Sequence, residues 1–221
     1  MQLYVIRHGF SEANAAGLVQ GQSDSSLTDT GIAQAELLGR FFKRKGIQPD
    51  RIYSSPLGRA YSTAMLISDA IPGKPPVEKM QGLMEVDTGR LSGLVLEQAF
   101  ASYPKELAPD VNRWLDFAAF DGESFDGFFA RVDKSVREIT CNWDLLDNST
   151  FFFVTHAGVM RPLLKTLLDA NSDFMSFSFG NCCQVKICYR KVRDSVRKVI
   201  EHILTIEQVA ELMGEANPGK G

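Results

Sequence analysis

The sequence predicts an α/β fold with a mostly parallel central sheet flanked by helices and a small lid-like insertion. Three observations carry that prediction. Apolar runs of strand length occur at Leu3–Arg7, Asp50–Tyr53 and Thr150–Val154. Amphipathic segments of helical period follow them. The two kinds of segment alternate along the chain, which is the pattern of strands joined by helical crossovers.

In chain order, Leu3–Arg7 reads as a short buried strand, and residues 9–28, rich in Gly, Ser, Asn, Asp and Gln, as a long loop. Loops of that length inside a compact domain are usually functional. Ala33, Leu37, Leu38 and Phe41 fall at helical spacing, with Gly46 as the stop. Asp50–Tyr53 is a second strand. It leads into a helix carrying Ala60, Ala64 and Ile67, which Ile71-Pro72-Gly73 breaks. Residues 80–95 read as a loop and residues 96–120 as helical pieces bearing Trp114, Phe117 and Phe120. Ser124 is placed to cap a long helix to about Asp144, with Phe128, Val132, Val136 and Ile139 as its apolar stripe.

Thr150–Val154 (TFFFV) signals a buried strand, followed by a turn and a helix over Val159–Leu168 with Pro162 in its first turn. Gln184–Tyr189 and Ser195–Ile203 read as later strands, and residues from about 213 as a loose tail. One domain over 1–221 is expected, with the insertion at about 80–125.

Composition narrows the function. Hydrophobic residues are 44% and charged residues 23%, enough apolar material for a core. The 24 Lys and Arg against 27 Asp and Glu give a net charge of −3, which argues against a nucleic-acid partner. No apolar run approaches the roughly 20 residues of a bilayer span, and the N-terminus lacks a signal-peptide core. Cys141, Cys182, Cys183 and Cys188 form no metal-binding spacing. Adjacent Cys182 and Cys183, read as part of a strand, would point to opposite faces as small buried hydrophobes. A reducing, cytoplasmic setting fits.

The chemistry concentrates at strand ends. Of three histidines, His8 and His156 each directly follow a predicted strand, and a glycine follows each closely. Ligands of α/β sheets bind outside the carboxyl ends of the strands, so both imidazoles should open into one crevice. His202 is expected to be a surface or packing residue. Arg7 precedes His8, and Arg59 lies in the first turn of the helix after the second strand. Guanidinium forks match phosphate oxygens, and helix-start N–H groups add donors. Two histidines with two arginines make a phosphate site by charge.

The residues that carry this site also carry a resemblance. Arg7-His8-Gly9, Asn14, Gln20-Gly21 and Leu27-Thr28 with Gly31 resemble the opening of the histidine phosphatase superfamily, the phosphoglycerate mutase-like proteins. Ser54-Ser55-Pro56-Leu57, Arg59-Ala60 and Thr63-Ala64 are similar to its second block. Leu83 and Glu85 followed by Gly89 and Gly93, then Gly122-Glu123-Ser124, then Val154-Thr155-His156-Ala157-Gly158, resemble the remaining blocks in family order.

The resemblance implies a metal-independent, two-step phosphoryl transfer without a cofactor. His8 would be the nucleophile, taking the phosphoryl group as phosphohistidine. Arg7, Arg59 and His156 would hold the phosphoryl oxygens. Glu85 would protonate the leaving alcohol and then deprotonate water. Substrate contacts are expected from Asn14, Gln20, Gly21, Gln22, Glu123, Ser124 and Ala157. Enzymes accelerate phosphate-monoester hydrolysis by up to about 10²¹-fold, and one general acid supplies about 10²–10⁴ of that. The cationic clamp and alignment must supply most of the rest.

Two departures shape the expectation. Phe10 stands where many members carry an acid or Gln, and the Trp-bearing loop of dedicated mutases is absent between Ala13 and Gln20. A phosphatase acting on a small phosphorylated metabolite is therefore expected ahead of a 2,3-bisphosphoglycerate-dependent mutase. A non-catalytic binding module would lack the nucleophile or the acid, and both His8 and Glu85 are present.

Overall fold

The computed structural model describes residues 1–103, 116–141, 148–170, 178–193 and 195–219, with the backbone alone for Phe100. The chain runs β1 (Gln2–Arg7), α1 (Glu12–Ala15), α2 (Asp29–Arg44), β2 (Arg51–Ser54), α3 (Gly58–Ala70) and β3 (Val77–Lys79). Then come α4 (Leu96–Ser102), α5 (Phe125–Thr140), β4 (Thr150–Thr155), α6 (Ala157–Leu168), β5 (Gln184–Val192), β6 (Ser195–Leu204) and α7 (Ile206–Met213). Short 3₁₀ turns at Gln81–Leu83, Gly89–Leu91 and Ala118–Phe120 punctuate the segment between β3 and α5.

The six strands form one sheet in the order β3-β2-β4-β1-β5-β6. β1 through β4 are mutually parallel, β5 runs antiparallel to β1, and β6 runs antiparallel to β5. The sheet is thus mixed: the predicted parallel part occupies one side and the centre, and an antiparallel hairpin closes the other edge. No helix among the described residues is long and apolar enough to cross a membrane.

Strand alternation sorts the core onto the two faces. Leu3, Val5, Phe151 and Phe153 pack with the stripe Phe128, Val132 and Val136 of α5 and with Val159 and Leu163 of α6. Tyr4, Ile6, Phe152 and Val154 pack with Leu38 and Phe42 of α2, Ala64 and Ile67 of α3, and Val209 of α7. Each central strand is covered on both faces, which is why its sequence reads as a continuous apolar run rather than an alternating one.

Several expectations change. The loop over 9–28 contains α1, closed by a capping box between Ser11 and Asn14. β3 is an edge strand of three residues with one apolar member, too short to register as a pattern. α6 starts at Ala157, so Pro162 sits in its interior rather than its first turn. Cys182 and Cys183 lie in the turn before β5, Cys182 at φ +52°, yet they still pack into opposite cores. α7 was not expected. The tail after it has no regular structure, but Glu215 pairs with Arg40 at 2.6 Å and Gly219 O accepts from Gln34 Nε2 at 3.1 Å. α5 ends at Thr140, and both Asp144 and Trp114 lie outside the described residues.

Candidate active site

The register of the sheet builds the site. Arg7 of β1 lies opposite Thr155 of β4, and Ser54 of β2 lies opposite Val154 of β4. The residues that follow these three strands are His8, His156 and Ser55, so they emerge side by side at the carboxyl edge. Backbone bonds continue the ladder there: His8 N donates to Thr155 O and Ser55 N to Val154 O, each at 2.9 Å. The two imidazole centroids are 5.1 Å apart.

Packing fixes the turn after His8. A Cβ on Gly9 would stand 2.5 Å from Gly31 O, and one on Gly31 would stand 2.0 Å from Phe10 O. The two glycines therefore let the start of α2 rest directly on this turn. Thr63 Oγ1 accepts from Gly9 N at 3.0 Å and donates to Arg59 O at 2.7 Å, tying the same turn to α3.

Hydrogen bonds set the tautomers of both rings. His8 Nδ1 is 2.7 Å from Gly9 O, a carbonyl that can only accept, so the proton is on Nδ1 and Nε2 keeps its lone pair. Arg59 Nε always carries hydrogen and donates to His156 Nδ1 at 3.2 Å. The neutral His156 ring then has its proton on Nε2, which donates to Ser55 Oγ at 2.8 Å. Burial holds both histidines well below the ordinary imidazole range. The charges of Arg7 and Arg59 push His8 further down, and Arg59 does the same to His156. Both rings stay neutral across physiological pH.

Arg59 is 1% exposed. Besides His156, it donates from Nη1 to Ser23 O at 2.7 Å and from Nη2 to Gly21 O at 2.9 Å. Arg7 donates from Nη1 to Phe179 O at 2.6 Å, while its buried Nε has no partner among the described residues. Burial pulls both guanidinium groups down from their ordinary value, and the Glu85 carboxylate offsets this.

Glu85 faces them from the segment after β3. Its Oε2 accepts from Gly158 N, the second residue of α6, at 3.2 Å, and its Oε1 accepts from Val86 N at 3.0 Å. A Cβ on Gly158 would come within 2.3 Å of Glu85 Oε1, so only glycine lets the carboxyl group sit on the helix N-terminus.

Arg7, His8, Arg59 and Glu85 line one cavity of about 280 Å³, together with Gln20, Gly21 and Ala157. The other sequence-picked residues stand off its wall. His156 lies behind Arg59. Asn14 Oδ1 accepts from Ser11 N and from Asn181 Nδ2, whose amide also reaches His8 O. Gln22 Nε2 donates to Glu85 O at 3.1 Å and so supports the acid from behind.

Glu123 and Ser124 turn out to hold the wall together rather than to face the cavity. Glu123 takes Arg131 Nε at 2.7 Å and Nη2 at 2.8 Å, and its Oε2 also accepts from Asp87 N. Ser124 Oγ caps α5 by accepting from Gly127 N.

Three residues that sequence reasoning passed over matter here. Arg131 Nη1 donates to the carbonyls of Gly82 and Met84 and its Nη2 to that of Glu85, at 3.0 to 3.2 Å, gathering the acid's segment around one side chain. Thr88 and Arg161 line the cavity. Arg131 and Arg161 each sit mid-helix, where a lone arginine carries no motif.

Comparison with known proteins agrees with this geometry. The sequence model described as histidine phosphatase superfamily (branch 1) matches residues 3–201. Phosphoserine phosphatase 1 of Hydrogenobacter thermophilus is 32% identical over 205 residues, covering 90% of this chain and 92% of that protein. A 2,3-bisphosphoglycerate-dependent phosphoglycerate mutase of a Methylobacterium species is 36% identical over 168 residues, 75% of this chain and 79% of its own. The structure of a mycobacterial glucosyl-3-phosphoglycerate phosphatase with VO3 superposes with a TM-score of 0.76 at 24% identity, over 91% of this chain and 97% of that one.

Proposed function

The chain belongs to the histidine phosphatase superfamily and is a phosphatase, and from that premise we propose that it hydrolyses a small phosphorylated metabolite through a phosphohistidine on His8. The observation that carries the reading is the His8 ring. Its Nδ1–H is tied to Gly9 O, so the Nε2 lone pair is available in a cavity shared with Arg7, Arg59 and Glu85.

In the first step the Nε2 lone pair attacks phosphorus as the ester P–O bond breaks. The leaving oxygen takes that electron pair and a proton from the Glu85 carboxyl group. In the second step a water oxygen attacks phosphorus and gives its proton to the Glu85 carboxylate. The N–P bond breaks, and its electron pair returns to Nε2. Arg7 and Arg59 face the charge that spreads over the phosphoryl oxygens, and Arg7 Nε, without a partner among the described residues, is a donor for such an acceptor. His156 and Ser55 keep Arg59 in place. The α6 N-terminus and Val86 N fix the Glu85 carboxyl group.

The similarity to a phosphoglycerate mutase supports a second reading, in which the phosphohistidine returns its group to a second hydroxyl instead of to water. Assaying inorganic phosphate release from p-nitrophenyl phosphate and 3-phosphoglycerate, with and without 2,3-bisphosphoglycerate, separates the two. Phosphate release independent of 2,3-bisphosphoglycerate and absent in His8→Ala is the expected result. Isomerisation that requires the bisphosphate, with no net phosphate release, would overturn it.

A further inference from the structure

We propose that Arg161 forms a second anion subsite in the His8 cavity, which selects phosphomonoesters whose leaving alcohol carries a carboxylate. The inference rests on the phosphatase reading and adds the class of substrate.

Ala157, Gly158 and Arg161 all line the cavity, and their spacing of three and four residues puts them on one face of α6. The same face therefore presents the backbone that holds Glu85 and, one turn on, a guanidinium group. Arg161 is half-buried and donates from Nη1 to Ala157 O at 3.0 Å, which sets its stem along the helix. It lies near enough to Arg7 for its charge to oppose that of Arg7. Arg7 adjoins the nucleophile, and Arg59 is held by Gly21, Ser23 and His156, so these two are assigned to the phosphoryl group and Arg161 to the leaving alcohol.

The remaining wall shows what kind of alcohol fits. Val19, Leu96 and Phe117 give it an apolar side, and Thr88 and Ser178 add hydroxyls. Glu85 is the one carboxylate among the described lining residues, and it is engaged at the α6 N-terminus. An ammonium group on the substrate thus meets no second acid, whereas a carboxylate meets a planar fork of matching geometry. The volume of about 280 Å³ lies at the lower end of ligand pockets, which run from about 300 to 1,000 Å³. That holds the leaving group to a compact body.

The test uses two matched pairs of monoesters, each differing chiefly by a carboxylate: 3-phosphoglycerate against glycerol 3-phosphate, and O-phosphoserine against O-phosphoethanolamine. For the wild-type chain kcat/KM should favour the carboxylate member of each pair by about tenfold or more, the scale of one charge-assisted hydrogen-bonded contact. In Arg161→Gln that preference should collapse mainly through KM. Arg161→Lys should keep part of it, because the charge remains while the fork is lost.

Wild-type turnover of all four with no carboxylate preference would overturn the subsite and leave the phosphatase reading standing. So would an Arg161→Gln loss of equal size on every substrate, which would mark a structural role. Failure of the wild type to release phosphate from any of them, or from p-nitrophenyl phosphate, would sink both.

Discussion

The two walls of the cavity are built by different means. The phosphoryl wall comes from the ends of β1, β4 and β2 and the start of α3. It is buried, with His8 at 3%, His156 at 0% and Arg59 at 1% exposure, and its geometry follows from strand register. The opposite wall comes from the segment between β3 and α5. It has few regular elements, and Arg131 and Glu123 hold it together. The first wall is rigid because the sheet is rigid. The second is held by that ion pair and its carbonyl bonds, by backbone bonds such as Glu123 N to Asp87 O, and by the buried Leu83, Val86, Leu91 and Phe120. The phosphoryl group can be held on the first, while the second brings Glu85 for proton transfer and, with α6, discriminates between substrates.

The largest effect should come from the phosphoryl wall. Arg59→Ala removes charge from the reacting group and leaves Gly21 O, Ser23 O and His156 Nδ1 without their donor. Loss of a preorganised donor costs about 10²–10³ in kcat, and here a charge goes with it, so a fall of about 10³ or more is expected. Steady-state kinetics on p-nitrophenyl phosphate measures this. A loss confined to KM would show that Arg59 binds without stabilising the transition state.

Gly158→Ala probes the junction of the two walls. The new Cβ would collide with Glu85 Oε1 and drive the carboxyl group off the helix N-terminus. General acid–base catalysis is worth about 10²–10⁴, so a kcat loss of about 10- to 100-fold is expected with little change in Tm. Wild-type kcat would separate Glu85 from proton transfer.

Arg131→Ala should act on the second wall alone. Breaking a partly buried pair that also gathers four carbonyls costs about 2–4 kcal/mol. A lower Tm with a smaller kcat loss than Gly158→Ala is therefore expected, and Glu123→Gln should follow it in the same direction. A Tm equal to the wild type in both variants would mean that the wall is held by something else.

The smallest effect is on stability against pH, and it is confined to the first wall. His8 and His156 are held neutral in the folded chain, while the unfolded chain titrates near pH 6.5. Below that pH the unfolded state binds protons that the folded state refuses. Stability present above pH 6.5 is therefore lost as pH falls, by up to about 1.4 kcal/mol per pH unit for each ring. Thermal unfolding between pH 7.5 and 5.5 should show this decline, and His8→Asn should show a shallower one. Equal slopes would contradict it.

The contrast between the walls also explains what could be read without coordinates. Strand runs that end in Arg7-His8-Gly9 and Thr155-His156 announce their own position, because an α/β sheet presents strand ends to ligands. Glu85 came from family resemblance, since a loop carries no period. Glu123 and Ser124 lie where a substrate contact was expected, but Glu123 pairs with Arg131, two turns along α5, which nothing local reveals, and Ser124 caps α5. Arg161 falls within an ordinary helical stretch and becomes visible only when α6 is laid against the cavity. α7 does carry a local signal: Thr205 and Gln208 form a capping box ahead of Val209 and Ala210. β3 was beyond reach, because a three-residue edge strand is defined by its partner rather than by its own side chains.

The covalent step is the claim on which the rest depends. Mixing the enzyme with a ³²P-labelled monoester, quenching within milliseconds in base and mapping the labelled peptide tests it directly. The account predicts an acid-labile, base-stable phosphoryl adduct on His8 that is absent from His8→Asn and forms at least as fast as turnover. Turnover with no labelled His8 peptide, or with the label on another residue, would contradict it.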